Sequence, residues 1–347
     1  MHPVESERNP VHGPQLERIP MHRYGQLRRR MFADRAVCTV GLGPCRERGE
    51  ESPRAVTRAI ALGCNVLDTA PHIHRGDHER CIGEAVRLAV SEGLCERDAL
   101  IINTTVGRVP DLIENNIRTH GFARLKALVE DRFIARGVCS WHDLAHGDHI
   151  IAPGYIRHGL EQSLTRIGLD HIDCVFLESP SIQRSAVSPG EYRRRMIAAF
   201  ATLEQLCDEG RARCYGISSP VALDLGELVA LAQAAAGAGH RLRAVRAPFS
   251  LLRHDMRPVV DDAATLGLYV FATGCLDGGA PRYEIPEALE AQLGHDADPA
   301  TAIRWVESFP GVGTALFGSR DARHIQANLA AATRPPLDLV VYQGAPS

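Results

Sequence analysis

The chain has 347 residues, 45% of them hydrophobic and 23% charged, which is enough for one large or two ordinary domains with a substantial core. A formal net charge of -3 excludes a basic surface for nucleic acid or an anionic membrane. No apolar run approaches the ~20 residues that span a bilayer. Ten cysteines without a CxxC pair indicate buried thiols in a reducing compartment. We therefore predict a cytoplasmic protein whose partner is a small molecule.

The two ends of the chain differ from its middle. Residues 1–23 are polar and rich in proline, with no apolar segment of the signal-peptide kind, so they are predicted to be a disordered leader. Residues 335–347 are predicted to be a C-terminal tail. The predicted domain is therefore 24–334.

Eight short apolar runs have the length and β-branched content of strands. They are 37–43, 65–70, 99–107, 172–179, 214–219, 242–249, 269–274 and 314–319. The spacing of apolar residues between them predicts amphipathic helices over 52–63, 79–93, 155–168, 191–210, 224–238, 257–267, 299–308 and 321–332.

Alternation of apolar strands with helices is typical of a parallel sheet covered by helices. Eight such units predict an α/β fold of the (β/α)8 TIM-barrel type. An open doubly wound sheet is the alternative, and it has less support because no GxGxxG follows the first strand.

One segment interrupts the alternation of strands and helices. Residues 108–152 separate the third strand from its helix, whereas such connections usually have ~2–6 residues. Since an insertion there lies at the end of the barrel that carries active sites, it is predicted to form a lid or a wall of the substrate pocket. An oligomer contact is the alternative.

The second strand and its helix carry the most informative motif, NVLDTAPHIHRGDHERCIGEA (65–85). It resembles the second unit of the aldo-keto reductases, in which the strand ends in Asp-Thr-Ala. Three later stretches are similar to further units of that family: IRHGLEQSLTRIGLDHIDCVFLESP, FATLEQLCDEGRARCYGISSP and IRWVESFPGVGTALFGSRDARHIQANLAA. The resemblance runs from about Tyr24 to Ala331, and with the long insertion it suggests a divergent bacterial branch with an enlarged third loop.

The resemblance implies a catalytic set of aspartate, tyrosine, lysine and histidine. Asp68 matches the aspartate, while Ile73 stands at the tyrosine position, Thr105 at the lysine position and Glu178 at the histidine position. Three of the four side chains are thus expected to differ from the family pattern. Lys126, the only lysine in the chain, lies in the insertion.

The resemblance also implies a site for NADP(H). Ser218 matches the serine that binds the nicotinamide amide, and the turn between the last strand and its helix is positioned for phosphates. Several side chains differ from the family there, so the nicotinamide end is expected to be altered. The predicted cofactor-binding residues are Ser218, Ser219, Arg246, Thr273, Gly318, Ser319, His324 and Asn328.

From these substitutions we hypothesise acid/base chemistry without hydride transfer, such as a dehydration, elimination, isomerisation or cyclisation in a specialised biosynthetic pathway. A carboxylate pair or a carboxylate–histidine pair can take up one proton and deliver another. The predicted catalytic residues are Asp68, Glu178, His72, His74 and Thr105. The substrate is expected to be a small anion, because the planar fork of Arg246 suits a carboxylate or phosphate.

Two alternatives stay open. The first is an NADP(H)-dependent carbonyl oxidoreductase in which His72, His74 or Tyr155 replaces the acid. The second is an inactive protein that binds a ligand. For individual side chains, Glu178 could instead form a salt bridge with Arg246. No metal site is predicted from the loose spacing of His72, His74 and His78, and three further histidines, His142, His146 and His149, are interpreted as loop polarity.

Overall fold

A computed structural model describes residues 27–45, 52–110, 122–253, 255–277 and 298–339. The predicted leader lies outside these ranges, as does most of the predicted tail. The described start of that tail packs on the domain, since Arg304 Nε donates to Pro335 O at 2.7 Å and Leu337 N donates to Ser308 Oγ at 2.9 Å. No helix within these ranges combines the length and the apolar character needed to cross a membrane.

Eight parallel strands form a closed barrel, which confirms the predicted (β/α)8 fold. The barrel strands are β3 (Val40–Leu42), β4 (Val66–Asp68), β5 (Ile101–Val106), β8 (Ile172–Glu178), β9 (Ala212–Ser218), β10 (Leu242–Pro248), β11 (Tyr269–Thr273) and β12 (Val312–Phe317). They follow one another around the barrel in chain order, and β12 pairs with β3 to close it. Every carboxyl end of a barrel strand therefore opens on the same face.

Helices connect these strands on the outside. They are α1 (Pro53–Ala61), α2 (Asp77–Ser91), α3 (Phe122–Val129), α4 (Pro153–Ile167), α5 (Ser181–Ala186), α6 (Pro189–Asp208), α7 (Leu225–Ala236), α8 (Arg257–Thr265), α9 (Pro299–Ser308) and α10 (Ala322–Leu329). Proline occupies the first turn of α1, α4, α6, α8 and α9, where its missing N–H would have no helical partner.

The first predicted strand, 37–43, is wrong as a single element. Its first two residues end β2 (Arg35–Cys38), which pairs with β1 (Arg29–Phe32) in an antiparallel hairpin, and Val40–Leu42 alone enters the barrel. Phe32 from this hairpin packs against Tyr269 and Phe271, with ring centroids 4.9 and 5.2 Å apart. The hairpin thus contacts aromatic residues of β11 that sequence periodicity does not reveal.

The described part of the insertion is folded. It contains α3, a turn of π-helix (Glu130–Ile134) and a short hairpin of β6 (Leu144–Ala145) and β7 (His149–Ile150). A small apolar cluster of its own joins this segment to the start of α4, and it includes Val129, Phe133 and Tyr155. The insertion therefore packs on the barrel beside β5 and α4.

Helices α2 and α4 approach most closely at Gly83. A methyl group at this position would lie 1.8 Å from Ile167 O, so only glycine fits. We predict that Gly83→Ala lowers the free energy of unfolding by about 3 kcal/mol through overpacking. Urea denaturation measures this loss.

Gly190→Ala is the matched control, because a methyl group there would lie 4.0 Å from its nearest neighbour, Arg194 Nη1. This second variant is expected to be stabilised by up to about 1 kcal/mol, since alanine favours the helix. Equal denaturation midpoints for the two variants would contradict the close packing.

Candidate active site

Polar side chains gather where the barrel strands end. Asp68 ends β4, Glu178 ends β8, Ser218 ends β9, and Thr105 and Arg246 lie one and two residues before the ends of β5 and β10. In barrels of this kind the carboxyl ends of the strands carry the active site. The fold therefore brings these five predicted site residues to one mouth.

A buried ion pair joins two strands across this mouth. Arg246 Nη1 donates to both oxygens of Asp68, at 2.9 and 3.2 Å, and Arg246 Nε donates to Ser218 Oγ at 3.0 Å. The guanidinium also lies 5.1 Å from the centroid of the Phe176 ring. Asp68 and Arg246 are 1% and 8% exposed, so the pair is shielded from water.

This geometry corrects one of the alternatives for Glu178, because Arg246 binds Asp68 and not Glu178. The physical reason is that strands β4 and β10 present their polar residues to each other across the lumen. The single lysine is not the cation of this pair. Lys126 lies in α3, with its ammonium 5.5 Å from the centroid of the Trp141 ring.

Burial raises the pKa of Asp68, while Arg246 and the nearby Asn103 lower it and Glu178 raises it. Asn103 pairs in register with Asp68 on β5 and is itself fully buried. Asn103 is not among the site residues predicted from the sequence. The feature of the sequence that could have identified it is a polar residue directly after two isoleucines in the strand IINTTV.

The second pair at the mouth is His72 and Glu178. His72 Nδ1 lies 3.7 Å from Glu178 Oε2. Both atoms are buried, and neither has a hydrogen-bond partner within the described ranges. Burial lowers the pKa of His72; Glu178 raises it, and Arg246 and Arg108 lower it further. A substrate oxygen or hydroxyl placed between these two buried polar atoms could form hydrogen bonds with both of them.

Strained turns position both members of this pair. After His72 the chain passes through His74 and Arg75 at φ 47° and 55°, and Ser179, directly after Glu178, has φ 51°. Left-handed conformations of non-glycine residues carry a cost in free energy and are concentrated at functional sites. The conformations of the turns after β4 and β8 thus orient the side chains of His72 and Glu178.

The three histidines that follow β4, in the turn and at the start of α2, each make a different contact. His72 faces Glu178, His74 Nε2 lies 3.1 Å from Cys45 O, and His78 Nδ1 lies 2.6 Å from Thr69 Oγ1. Tyr155, the other candidate acid, donates its hydroxyl to Arg108 O at 2.9 Å. Of the candidate acids, His72 is thus the one that faces a carboxylate.

The insertion holds Glu178 in place through His149. His149 Nε2 donates to Glu178 O at 2.6 Å, and Gln183 Nε2 donates to His149 Nδ1 at 3.1 Å. His149 is fully buried, and burial lowers its pKa to about 4. The interpretation of this residue as loop polarity is therefore wrong. The insertion docks it against the end of β8, and no local pattern in HGDHI signals this.

The predicted cofactor residues fall into two groups. Ser218, Ser219, Arg246 and Thr273 stand at or near strand ends. Ser219 Oγ donates to Val221 O at 2.8 Å, and Thr273 O accepts from Phe249 N at 3.0 Å. The remaining four lie around β12 and α10: Gly318, Ser319, His324 and Asn328.

In this second group the turn after β12 is tightly packed. A methyl group at Gly318 would lie 2.4 Å from Pro44 O. Asp321 N donates to Ser319 Oγ at 3.3 Å, and Asp321 caps α10 by accepting from Arg323 N at 2.8 Å. His324 is exposed on α10 and Asn328 is buried.

A barrel whose strand ends carry buried, facing titratable side chains is typical of an enzyme. The aldo/keto reductase family model matches residues 43–342. The chain therefore belongs to the aldo/keto reductase family.

Individual relatives are distant. The chain is 28% identical over 191 residues to the uncharacterized oxidoreductase YqkF of Bacillus subtilis, and this match covers 54% of the chain and 46% of that protein, just under half of its length. It is 27% identical over 316 residues to a D-threo-aldose 1-dehydrogenase of a Pseudomonas species, covering 84% of the chain and 86% of that protein.

Two solved structures share the fold. The holo form of aldo-keto reductase AKR11C1 from Bacillus halodurans superposes with a TM-score of 0.66 at 21% identity, over 91% of this chain and 94% of that one. The aldo/keto reductase from Klebsiella pneumoniae in complex with NADP and acetate gives 0.60 at 20% identity, over 88% and 90%.

These comparisons overturn the hypothesis of a non-redox reaction. The family is one of reductases, and the relative that matches most of the chain is a dehydrogenase. The hypothesis was wrong because it inferred the reaction from three substituted side chains. It gave too little weight to the scaffold, which is matched over nearly the whole chain.

The buried ion pair supports a prediction about stability. Arg246→Met leaves the Asp68 carboxylate buried without its cation, and we expect this variant to lose about 3–5 kcal/mol of unfolding free energy. The double variant Asp68→Leu/Arg246→Met removes both charges and is expected to recover most of that loss. Urea denaturation at pH 7 compares the three proteins. A loss below about 1 kcal/mol in the single variant would show that the pair contributes little.

His149 supports a prediction about pH. Its folded pKa of about 4 lies below the ordinary 6.5, so its contribution to stability is complete above pH 6.5 and is lost as pH falls toward 4. We predict that the difference in unfolding free energy between wild type and His149→Gln shrinks by about 3 kcal/mol from pH 7 to pH 4. Parallel stability curves for the two proteins would contradict the neutral, buried imidazole.

Proposed function

We propose that this protein is an NADP(H)-dependent carbonyl oxidoreductase in which His72, next to Glu178, carries the proton. The observation that supports the reaction class is the family match over residues 43–342. The observation that supports the acid is the position of His72 Nδ1, which faces Glu178 Oε2 at 3.7 Å without another partner in the described ranges. A substrate oxygen between these two side chains would satisfy both.

The residues of the mouth suit the cofactor. Ser218 offers a hydroxyl at the end of β9, and the buried amide oxygen of Asn103 has no hydrogen-bond partner among the residues that the structure describes. At the other end, His324 and Arg323 place cationic or polar groups in the first turn of α10. NADP(H), when bound, supplies or accepts the hydride.

Side chains of the protein then transfer the proton. In carbonyl reduction His72 donates a proton to the developing alkoxide, and in alcohol oxidation the neutral imidazole accepts it. Because burial, Arg246 and Arg108 lower the pKa of His72, the neutral form predominates near pH 7. We infer that at this pH the imidazole is in the form that accepts a proton, as oxidation of an alcohol requires, and a dehydrogenase is the activity named for the Pseudomonas relative.

The substrate is proposed to be a small carbonyl or alcohol compound with an anionic group. Two cations near His72, Arg246 and Arg108, support this; both lower the pKa of His72, while Glu178 raises it. All ten cysteines are free thiols, which supports a reducing compartment such as the cytoplasm.

The first test is a titration of the purified protein with NADPH, following the fluorescence of the reduced nicotinamide, and then assays with aldehydes and the corresponding alcohols. We expect saturable binding and turnover. His72→Gln should lower kcat by about 10²–10⁴-fold and leave the affinity for NADPH within about twofold. His171→Gln, at the opposite end of β8, is the matched control. Binding without turnover would contradict the proposed activity.

The pH profile tests the role of the pair. Oxidation should be independent of pH above 6.5 and should fall where His72 gains a proton. Because Glu178 raises the pKa of His72, Glu178→Gln should move this fall to lower pH. A shift to higher pH, or none, would show that His72 is not the group that titrates.

A further inference from the structure

Gln183 joins the insertion to the body of the barrel from a fully buried position on α5. Its Nε2 atom donates to His149 Nδ1 and His149 O, both at 3.1 Å, and to Asp143 O at 3.3 Å. Its Oε1 atom accepts from Arg195 Nη1 on α6 at 2.8 Å. These contacts form a relay that runs from Arg195 through Gln183 and His149 to the backbone carbonyl of Glu178, to which His149 Nε2 donates at 2.6 Å.

The relay allows one placement of protons. A guanidinium group donates hydrogen bonds and accepts none, so the amide oxygen of Gln183 must be the atom that faces Arg195. The amide nitrogen then faces His149 Nδ1, which accepts, and the proton of the imidazole lies on Nε2. The guanidinium thus fixes the orientation of the amide. Through the amide, it occupies the nitrogen of His149 at which a second proton would bind.

Arg195 is held on two sides. Its Nε atom donates to Glu191 Oε1 at 2.7 Å, and its Nη2 atom donates to His142 O in the insertion at 2.7 Å. His142 lies in a turn that Ser140 and Asp143 close, since Ser140 N and Ser140 Oγ both donate to Asp143 Oδ2 at 2.8 Å. The start of the relay is therefore fixed by α6 and by the insertion, whereas its end lies at the mouth.

The end of the relay holds the backbone beside Glu178. The carbonyl that accepts from His149 belongs to the peptide between Glu178 and Ser179, and Ser179 has φ 51°. Gly107 leaves room for this contact, because a methyl group there would lie 3.4 Å from Glu178 O and 3.5 Å from His149 Nε2. Gly107 also has φ 112°, which glycine adopts without strain. The start of the insertion thus gives His149 access to the end of β8.

The surroundings of His149 keep its imidazole neutral. Burial lowers its pKa to about 4; the hydrogen bond to Glu178 O raises it, Arg108 lowers it, the Glu178 carboxylate raises it and His146 lowers it. Gln183 places a donor at Nδ1, and a protonated Nδ1 would meet that donor with no lone pair to accept. Protonation of His149 would therefore break the relay.

The charges around His72 make its titration a probe of where the Glu178 carboxylate lies. Burial lowers the pKa of His72, and the Glu178 carboxylate raises it. Arg246 and Arg108 lower it, and Glu79 on α2 raises it. Because His72 Nδ1 lies 3.7 Å from Glu178 Oε2, a carboxylate that moves away would lower the pKa of His72.

We propose that Gln183 and Arg195 are positioning residues for the reaction: they fix the His149 imidazole, and through it the peptide after Glu178, so that the Glu178 carboxylate faces His72. This rests on the proposed function, because His72 is taken to carry the proton. Gln183 reaches Glu178 through His149, and Arg195 reaches it through Gln183.

Nitrogen NMR of histidine-labelled protein tests this without a substrate. His72→Gln and His149→Gln assign the two signals, and in wild type His149 should be neutral at pH 7 with its proton on Nε2. Gln183→Met keeps the length of the side chain without its amide, and it should move the His72 midpoint to lower pH by more than about 0.5 pH unit. In Glu178→Gln protein the same substitution should move it by less than about 0.3 pH unit, since no carboxylate is left to displace. Equal shifts in the two backgrounds would overturn the proposal.

Arg195→Met acts at the other end of the relay and preserves the test if Gln183→Met does not fold. It should move the His72 midpoint in the same direction. Arg194→Met is the matched control, because Arg194 Nη2 also donates to Glu191, at 2.5 Å, and its side chain is 75% exposed. This control should titrate as wild type does. An unmoved His72 midpoint in folded Arg195→Met protein would overturn the proposal.

The pH profile of alcohol oxidation with NADP provides the second readout. In Arg195→Met protein the fall in rate at low pH should move to lower pH by the same amount as the His72 midpoint, a change that a general loss of stability does not produce. Turnover with an unmoved profile and an unmoved midpoint would overturn the positioning role and leave the proposed function standing. Midpoints that move as expected in a protein without turnover would overturn the proposed function alone.

Discussion

The ion pair between Asp68 and Arg246 is the interaction on which the site depends. It joins β4 to β10 across the mouth of the barrel, and Arg246 continues from it to Ser218. Burying two charges costs free energy that their attraction offsets only when the geometry is good and further hydrogen bonds are made. Here both carboxylate oxygens and the guanidinium Nε are satisfied. The pair therefore joins β4 to β10 and orients the Ser218 hydroxyl at the mouth.

The insertion contributes to the site from outside the barrel. Its hairpin places the buried imidazole of His149 against the backbone carbonyl of Glu178, and α5 supports that imidazole through Gln183. Glu178 is thus held from two sides, by the ladder of β8 and by a residue that arrives from the insertion. This arrangement explains how a strand end with a left-handed residue at Ser179 keeps its geometry.

The fold was predictable from the sequence, whereas much of the site was not. Strands buried on both faces read as continuous apolar runs, and eight of them with intervening helices define the barrel. The exception is the first run, which divides at Thr39 because Thr39 N bonds to Arg28 O, a contact across the hairpin that periodicity cannot show.

The strand-end positions of Asp68, Glu178 and Arg246 followed from the same periodicity, but their pairing did not. Asp68 and Arg246 are 178 positions apart, so which residues meet depends on closure of the whole barrel. The docking of His149 likewise depends on how the insertion packs. The class of reaction was misjudged for a different reason, because three substituted side chains were given more weight than a family match that extends over residues 43–342.

In the proposed reaction, the electrostatics of the mouth decide which group carries the proton. Arg246 is not that group, because arginine does not lose its proton in proteins. Its charge, together with burial, lowers the pKa of His72, and Glu178 opposes that effect. The result is an imidazole that is neutral near pH 7 with a carboxylate beside it to stabilise the imidazolium that forms on proton uptake. A site of this kind is suited to accept a proton from an alcohol, and donation to a carbonyl oxygen becomes favourable only as pH falls.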